Sequence, residues 1–170
     1  MAAAVMATDL VTLARGWIGT PYCHQASLKG VGCDCLGLLR GLWREWHGDE
    51  PEQTPPYAAD WAASGADHLR DALARHLAPV DPRAMAPGDV LLFRMGQHGP
   101  ARHCGILAER DGAATLIHAR QNRSVREEAF SSFWRGRLVH AFRLPGCPVG
   151  VAPCGKLAGL TPGFGEACSS

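Results

Sequence analysis

A chain of 170 residues with 17 basic and 16 acidic side chains carries a formal net charge of only +1, so the overall balance suggests neither a nucleic-acid groove nor a basic membrane-surface patch. Its length suits one domain with a core that needs no disulfide staples, and no apolar run approaches the length of a membrane span. Partners have to be argued from sites.

The first stretch, Met1 to Asp9, has no basic region and too short an apolar run for a signal peptide, so synthesis in the cytoplasm without such a peptide is expected. Cysteines at 23, 33, 35, 104, 147, 154 and 168 are odd in number and irregular in spacing. In a reducing compartment such thiols are free, metal-binding or catalytic more often than paired.

Thr8, Leu10, Leu13, Ala14 and Trp17 read as a short capped helix ended by Gly19 and Pro21. Residues 20 to 32 then read as a loop that delivers the chain to Cys35. Asp34 is a candidate N-cap, and Leu36, Leu39, Trp43 and Trp46 recur at helical spacing, which predicts an amphipathic helix from Cys35 to about Gly48. Cys35 falls in its first turn, where unpaired backbone N–H groups and the helix dipole favour a thiolate. Pro51, Pro55 and Pro56 impose extended backbone on the next stretch.

Helical spacing returns between Ser64 and Leu77 through Leu69, Ala72, Leu73 and His76. Pro79, Pro82 and Pro87 break the chain, and a Pro87-Gly88-Asp89 turn launches a strand at Val90 to Phe93. Arg102 to Glu109 and Ala114 to Arg120 form a predicted hairpin around Asp111-Gly112, a two-residue turn signal. That loop length sets Gly105 opposite His118, and so places His103 and His118 on one face of the sheet; a three-residue turn would separate them. Val125 to Ala129 reads as a strand, Ser131 to Arg137 as a helical turn, and Leu138 to Leu144 as a last strand. From Pro145 the periodicity ends, so the reading is one domain over residues 1–144 and an irregular tail over 145–170.

A cysteine nucleophile needs a base, and the base needs a partner that fixes its tautomer. Cys35, His103 and His118 supply those three parts if the Cys35 helix packs on the sheet face that carries both imidazoles. The rival is a metal site drawn from Cys33, Cys35, His98, His103 and Cys104, but Cys-x-Cys and His-Cys are not structural zinc spacings. No metal or cofactor is therefore expected. Cys33 itself has three readings: an inert core thiol, half of a disulfide, or half of a metal pair.

Five motifs in order, Gly19-Thr20-Pro21-Tyr22, Asp34-Cys35-Leu36-Gly37-Leu38, Pro87-Gly88-Asp89-Val90, His103-Cys104-Gly105-Ile106 and Ile117-His118-Ala119, resemble those of the NlpC family of papain-like cell-wall cysteine peptidases. The wording around Cys33-Asp34-Cys35 and the Leu-Gly-Leu-Leu-Arg-Gly-Leu-Trp that follows is similar to a branch found in phage tails and gene transfer agents. The resemblance implies an α+β, circularly rearranged papain-like fold, with the nucleophile helix packed on a small antiparallel sheet. It also implies Cys35 as nucleophile, His103 as base and His118 as third polar member, acting on amide bonds of peptidoglycan stem peptides. Tyr22 matches the family tyrosine near the substrate. Asp34 would help bind a free amino end, or act simply as the helix cap.

Leu36 departs from the family's usual Ser after the nucleophile, which bears on specificity more than on chemistry. The resemblance further implies phage-tail-like or baseplate partners, reached through the C-terminal tail, and action on the periplasmic cell wall from within an assembled particle. A scaffold without activity and a thiol acyltransferase are the alternatives. Trp61 or Trp134 could line a groove, and Arg102, Arg120 and Arg123 flank the hairpin as surface charge or as contacts for stem-peptide carboxylates.

Overall fold

The computed structural model describes residues 10–58 and 65–146. Thr8, Ser64, Trp61 and the tail cysteines lie outside them. Residues 10–15 are helical (α1), and a turn follows that ends at Gly19 with φ of 92°. Next comes a feature the sequence reading placed in a loop: a tiny antiparallel hairpin of β1 (Ser27–Leu28) and β2 (Gly32–Cys33). Two-residue strands carry no readable period, yet this one seats Cys33 in the core directly before the main helix.

Helix α2 (Cys35–His47) starts where Asp34 caps it, its side chain accepting from Gly37 N–H at 2.7 Å, and it stops at Gly48, whose φ is 94°. Gly37, Leu38, Leu39, Gly41, Leu42, Trp43 and Trp46 are buried, so the apolar face is wider than expected, and Leu36 sits at its margin, half-buried. Gly37 has a second reason to be glycine: a Cβ there would stand 1.8 Å from the Ala26 carbonyl oxygen.

Helix α3 (His68–Ala74) is capped by Asp67 and shorter than the predicted span. After it, Ala78–Val80 forms strand β3, where a plain break was expected. Pro79 is tolerated because β3 is an edge strand paired only with β8. The remaining elements are β4 (Val90–Phe93), β5 (His103–Arg110), β6 (Ala113–His118), β7 (Arg126–Ala129), a one-turn helix α4 (Ser132–Arg135) and β8 (Leu138–Arg143).

The main sheet has six strands in the order β3-β8-β4-β5-β6-β7, every neighbouring pair antiparallel. Both faces are covered. The larger core joins Val90, Leu92, Cys104, Ile106 and Ile117 to α1 and α2; the smaller joins Leu91, Phe93, Leu107 and Leu116 to Phe130 and Trp134. Arg110 pairs with Ala113, which leaves Asp111 and Gly112 as the loop, with φ of 53° and 76°. Two positive φ values in a two-residue loop are the mark of a type I′ turn, whose twist suits a hairpin. Ile106 stands opposite Ile117, so the ladder continues to Gly105 opposite His118, the register expected from the sequence.

Candidate active site

At one end of the sheet β5 begins and β6 finishes, and α2 begins beside the same end. Its first residue, Cys35, is half-buried. The Cys104 thiol donates to the Cys35 carbonyl at 3.3 Å, tying the helix start to β5. Cys35 is held well below the ordinary thiol range, first by the neighbouring Cys104 thiol and then by the His103 imidazole, against the opposing effect of burial. Cys104 is pushed well up by the same contact, so it keeps its proton and acts as donor.

His103 and His118 share a face, as the turn requires, but not the face expected. Phe93 stands directly opposite His103, and both imidazoles pack against Trp134 in the smaller core. Helix α2 covers the opposite face, the one that carries Leu92, Cys104 and Ile106. His103 still lies near enough to lower the Cys35 thiol because it is the first residue of β5, at the rim where the two layers meet. Alternation along a strand says which residues share a face; it does not say which layer covers that face when both are buried.

The two rings are bonded, His103 Nε2 to His118 Nδ1 at 2.7 Å. That leaves Nδ1 of His103 for Cys35. His118 is wholly buried, and its pKa is driven down to about 2 by burial first, then by the charges of His103, Arg120 and Arg126, so it is a neutral imidazole at any ordinary pH. Its Nε2 lies 3.1 Å from Glu128 Oε1, the oxygen that also accepts the Trp134 indole N–H at 2.9 Å. Sequence reasoning missed Glu128, whose role depends on β7 pairing with β6. Trp134, offered as a groove residue, is buried and stacks on His103 with ring centroids 5.4 Å apart.

Asp34 is buried, and both its oxygens are engaged within the chain. Oδ1 accepts from Gly37 N–H, while Oδ2 accepts from Gln25 N–H at 2.8 Å and from the Tyr57 hydroxyl at 2.6 Å. The capping role is therefore visible directly. Tyr57, not singled out from sequence, is clamped further by Gln25 Nε2 donating to its carbonyl at 2.6 Å, and burial followed by Asp34 pushes its phenol far up. Tyr22 is half-buried beside Cys33, its phenol raised to about 12 by burial first and then by Asp34 and Cys35. Cys33 is free, fully buried and raised to about 12, chiefly by burial, which among its three readings is the behaviour of a core thiol.

Leu36 lines a cavity of about 570 Å³ together with Leu39, Trp43, Tyr57 and Leu77. Arg120 lies over the Trp134 ring at 5.7 Å, while Arg102 and Arg123 are exposed. Among the described residues no three His, Cys, Asp or Glu side chains converge as metal ligands would.

A thiol at a helix start, set against an antiparallel sheet that bears an imidazole pair, defines a papain-like fold and the arrangement used for acyl transfer through sulfur. The NlpC/P60 family model matches residues 19–143, and the chain belongs to that family. Among solved structures it is similar to an NlpC/P60 family protein from Bacillus cereus ATCC 10987, at 24% identity and a TM-score of 0.58, over 82% of this chain and 40% of that one. It is also similar to the NlpC/p60 domain of the peptidoglycan hydrolase SagA, at 19% identity and a TM-score of 0.53, over 81% of this chain and 98% of that one. NlpC2 from Trichomonas vaginalis resembles it at 18% identity and a TM-score of 0.52, over 81% of this chain and 46% of that one. The chain thus spans less than half of the Bacillus and Trichomonas chains, and likenesses at these identities speak to the fold. Sequence comparison with curated proteins gives no match.

Proposed function

We propose that the chain is a cysteine peptidase that hydrolyses amide bonds in peptidoglycan stem peptides. The observation that carries the reading is a cysteine, Cys35, at the start of α2, tied to β5 next to His103, whose ring is bonded to His118. Family membership supports the substrate class.

In this mechanism the Cys35 thiolate attacks the amide carbonyl carbon, and a carbon–sulfur bond forms as the carbonyl oxygen takes on negative charge. The start of α2 offers donors to that oxygen. Asp34 occupies the Gly37 N–H, and Leu38 N–H bonds to the Asp34 carbonyl at 2.9 Å, so the N–H groups of Cys35 and Leu36 stand outside the helix ladder. His103 then passes its Nδ1 proton to the leaving nitrogen as the carbon–nitrogen bond breaks. Water attacks the thioester, gives its proton to His103, and the sulfur leaves. Tyr22, close enough to Cys35 and Asp34 for both to raise its phenol, is the residue this reading gives to substrate binding.

The finer reading is a phage-tail-like component that opens the wall locally for DNA delivery, with other tail or baseplate proteins as partners through the tail. It is supported by the sequence wording that begins at Cys33-Asp34-Cys35. Recovery of the protein with tail components in purified particles tests it.

The central test is digestion of purified peptidoglycan by the wild type and by Cys35→Ala, with products resolved by mass spectrometry. Release of stem-peptide fragments by the wild type alone is expected. Equal release by Cys35→Ala would overturn the reading, and the product masses report water against any other acyl acceptor.

A further inference from the structure

We propose that Glu128 is a positioning residue that fixes the proton order of the His118 and His103 rings, so that His103 presents a bare Nδ1 to Cys35. The inference rests on reading His103 as the base for Cys35.

The order can be followed from the far end. An indole N–H can only donate, so Glu128 Oε1, 2.9 Å from Trp134 Nε1, is an acceptor. The same oxygen lies 3.1 Å from His118 Nε2, which must then carry a hydrogen. His118 is fully buried and neutral, with one ring hydrogen to place. Its Nδ1 is therefore bare and accepts from His103 Nε2 at 2.7 Å. A neutral His103 with its hydrogen on Nε2 has a lone pair on Nδ1, the nitrogen left for the thiol. When Cys35 gives up its proton, His103 holds hydrogens on both nitrogens and the far bonds need not change.

The reverse order fails chemically. With its hydrogen on Nδ1, His118 would donate to His103 Nε2, and a neutral His103 would carry its own hydrogen on Nδ1. No lone pair would then face the thiol. Within the ring pair nothing prefers one order over the other; the choice is made by an acceptor at His118 Nε2, and Glu128 is the acceptor found there. Register explains how it arrives. Glu128 stands opposite Leu116, on the face that carries His118, while its neighbour Glu127 faces the other way, bonded to Arg15 and Thr115. The Glu128 side chain is 29% exposed, which leaves it room to be replaced without opening a core cavity.

The test reads ring nitrogens and sulfur in the full chain, without needing a substrate. Nitrogen-15 NMR of labelled histidines should find His118 with its hydrogen on Nε2 in the wild type and in Glu128→Gln, whose carbonyl oxygen still accepts from Trp134 and His118. In Glu128→Ala the Nδ1–H form should become populated, and site-resolved alkylation of Cys35 by iodoacetamide at neutral pH should slow by about tenfold or more. Glu128→Gln should alkylate within a few-fold of wild type. A wild-type His118 protonated on Nδ1 would overturn the inference even if Glu128→Ala failed to fold. So would a folded Glu128→Ala with the wild-type tautomer and alkylation rate. Finding the stated order in a protein that leaves peptidoglycan intact would support the inference while removing the hydrolase reading.

Discussion

His103 and His118, fifteen positions apart in the chain, meet nitrogen to nitrogen at 2.7 Å, and the loop of Asp111 and Gly112 is what brings them together. Replacing Gly112, whose φ is 76°, with Ala should cost about 1 kcal/mol of stability while the register holds. Inserting one residue within β6, between Thr115 and Leu116, should act differently, turning His118 to the other face while the turn itself is kept. Denaturant titration measures the first effect. Release of peptidoglycan fragments checks the second, and wild-type release by the insertion variant would contradict the role given to the ring pair.

Neutral burial of His118 makes a pH-dependent demand on folding. Its folded pKa, about 2, lies below the ordinary histidine value of 6.5, so below pH 6.5 the unfolded chain binds a proton that the folded one refuses. Stability from this residue is complete above pH 6.5 and is lost as the pH falls, at up to about 1.4 kcal/mol per pH unit. Unfolding free energies measured at pH 7.5, 6 and 5 should fall more steeply for wild type than for His118→Gln. Parallel slopes would contradict the prediction.

Cys104, whose thiol donates to the Cys35 carbonyl, lowers the Cys35 thiol together with His103. Cys104→Val keeps a small apolar side chain in the core and removes the sulfur donor. The alkylation midpoint of Cys35 should move to higher pH, with the fold retained by circular dichroism. An unmoved midpoint would assign the lowering to His103 and the helix start alone.

Asp34 joins three pieces of chain, so its loss should exceed that of a simple cap. Asp34→Ala removes the acceptors for Gly37, Gln25 and Tyr57 and should destabilise by on the order of 3 kcal/mol. Tyr57→Phe removes one of those bonds and should cost about 1 kcal/mol. Chemical denaturation of both variants gives the comparison directly.

The parts readable from sequence are those with a local cause. Asp34 and Gly48 bracket α2 because a cap and a positive φ act within one turn, and Asp-Gly sets the hairpin register because the turn type dictates it. The parts that were not readable depend on distant chain. Strands β1, β2 and β3 are two or three residues long and exist through their partners. The layer covering the two imidazoles could not be read because Val90 to Phe93 is buried on both faces and shows no alternation. Tyr57 and Glu128 reach the site through a proline-rich trace and a neighbouring strand, and neither leaves a mark in residue spacing.

Cys35 and His103, the proposed nucleophile and base, belong to different layers, Cys35 to the helical one and His103 to the far side of the sheet, with the Cys104 sulfur pinned between helix start and strand. Their separation is therefore a reading of how tightly the two layers close at one rim. A small tilt of α2 would part the pair long before the sheet gave way, so mild urea should silence Cys35 at concentrations where the tryptophan signal of the core is still native.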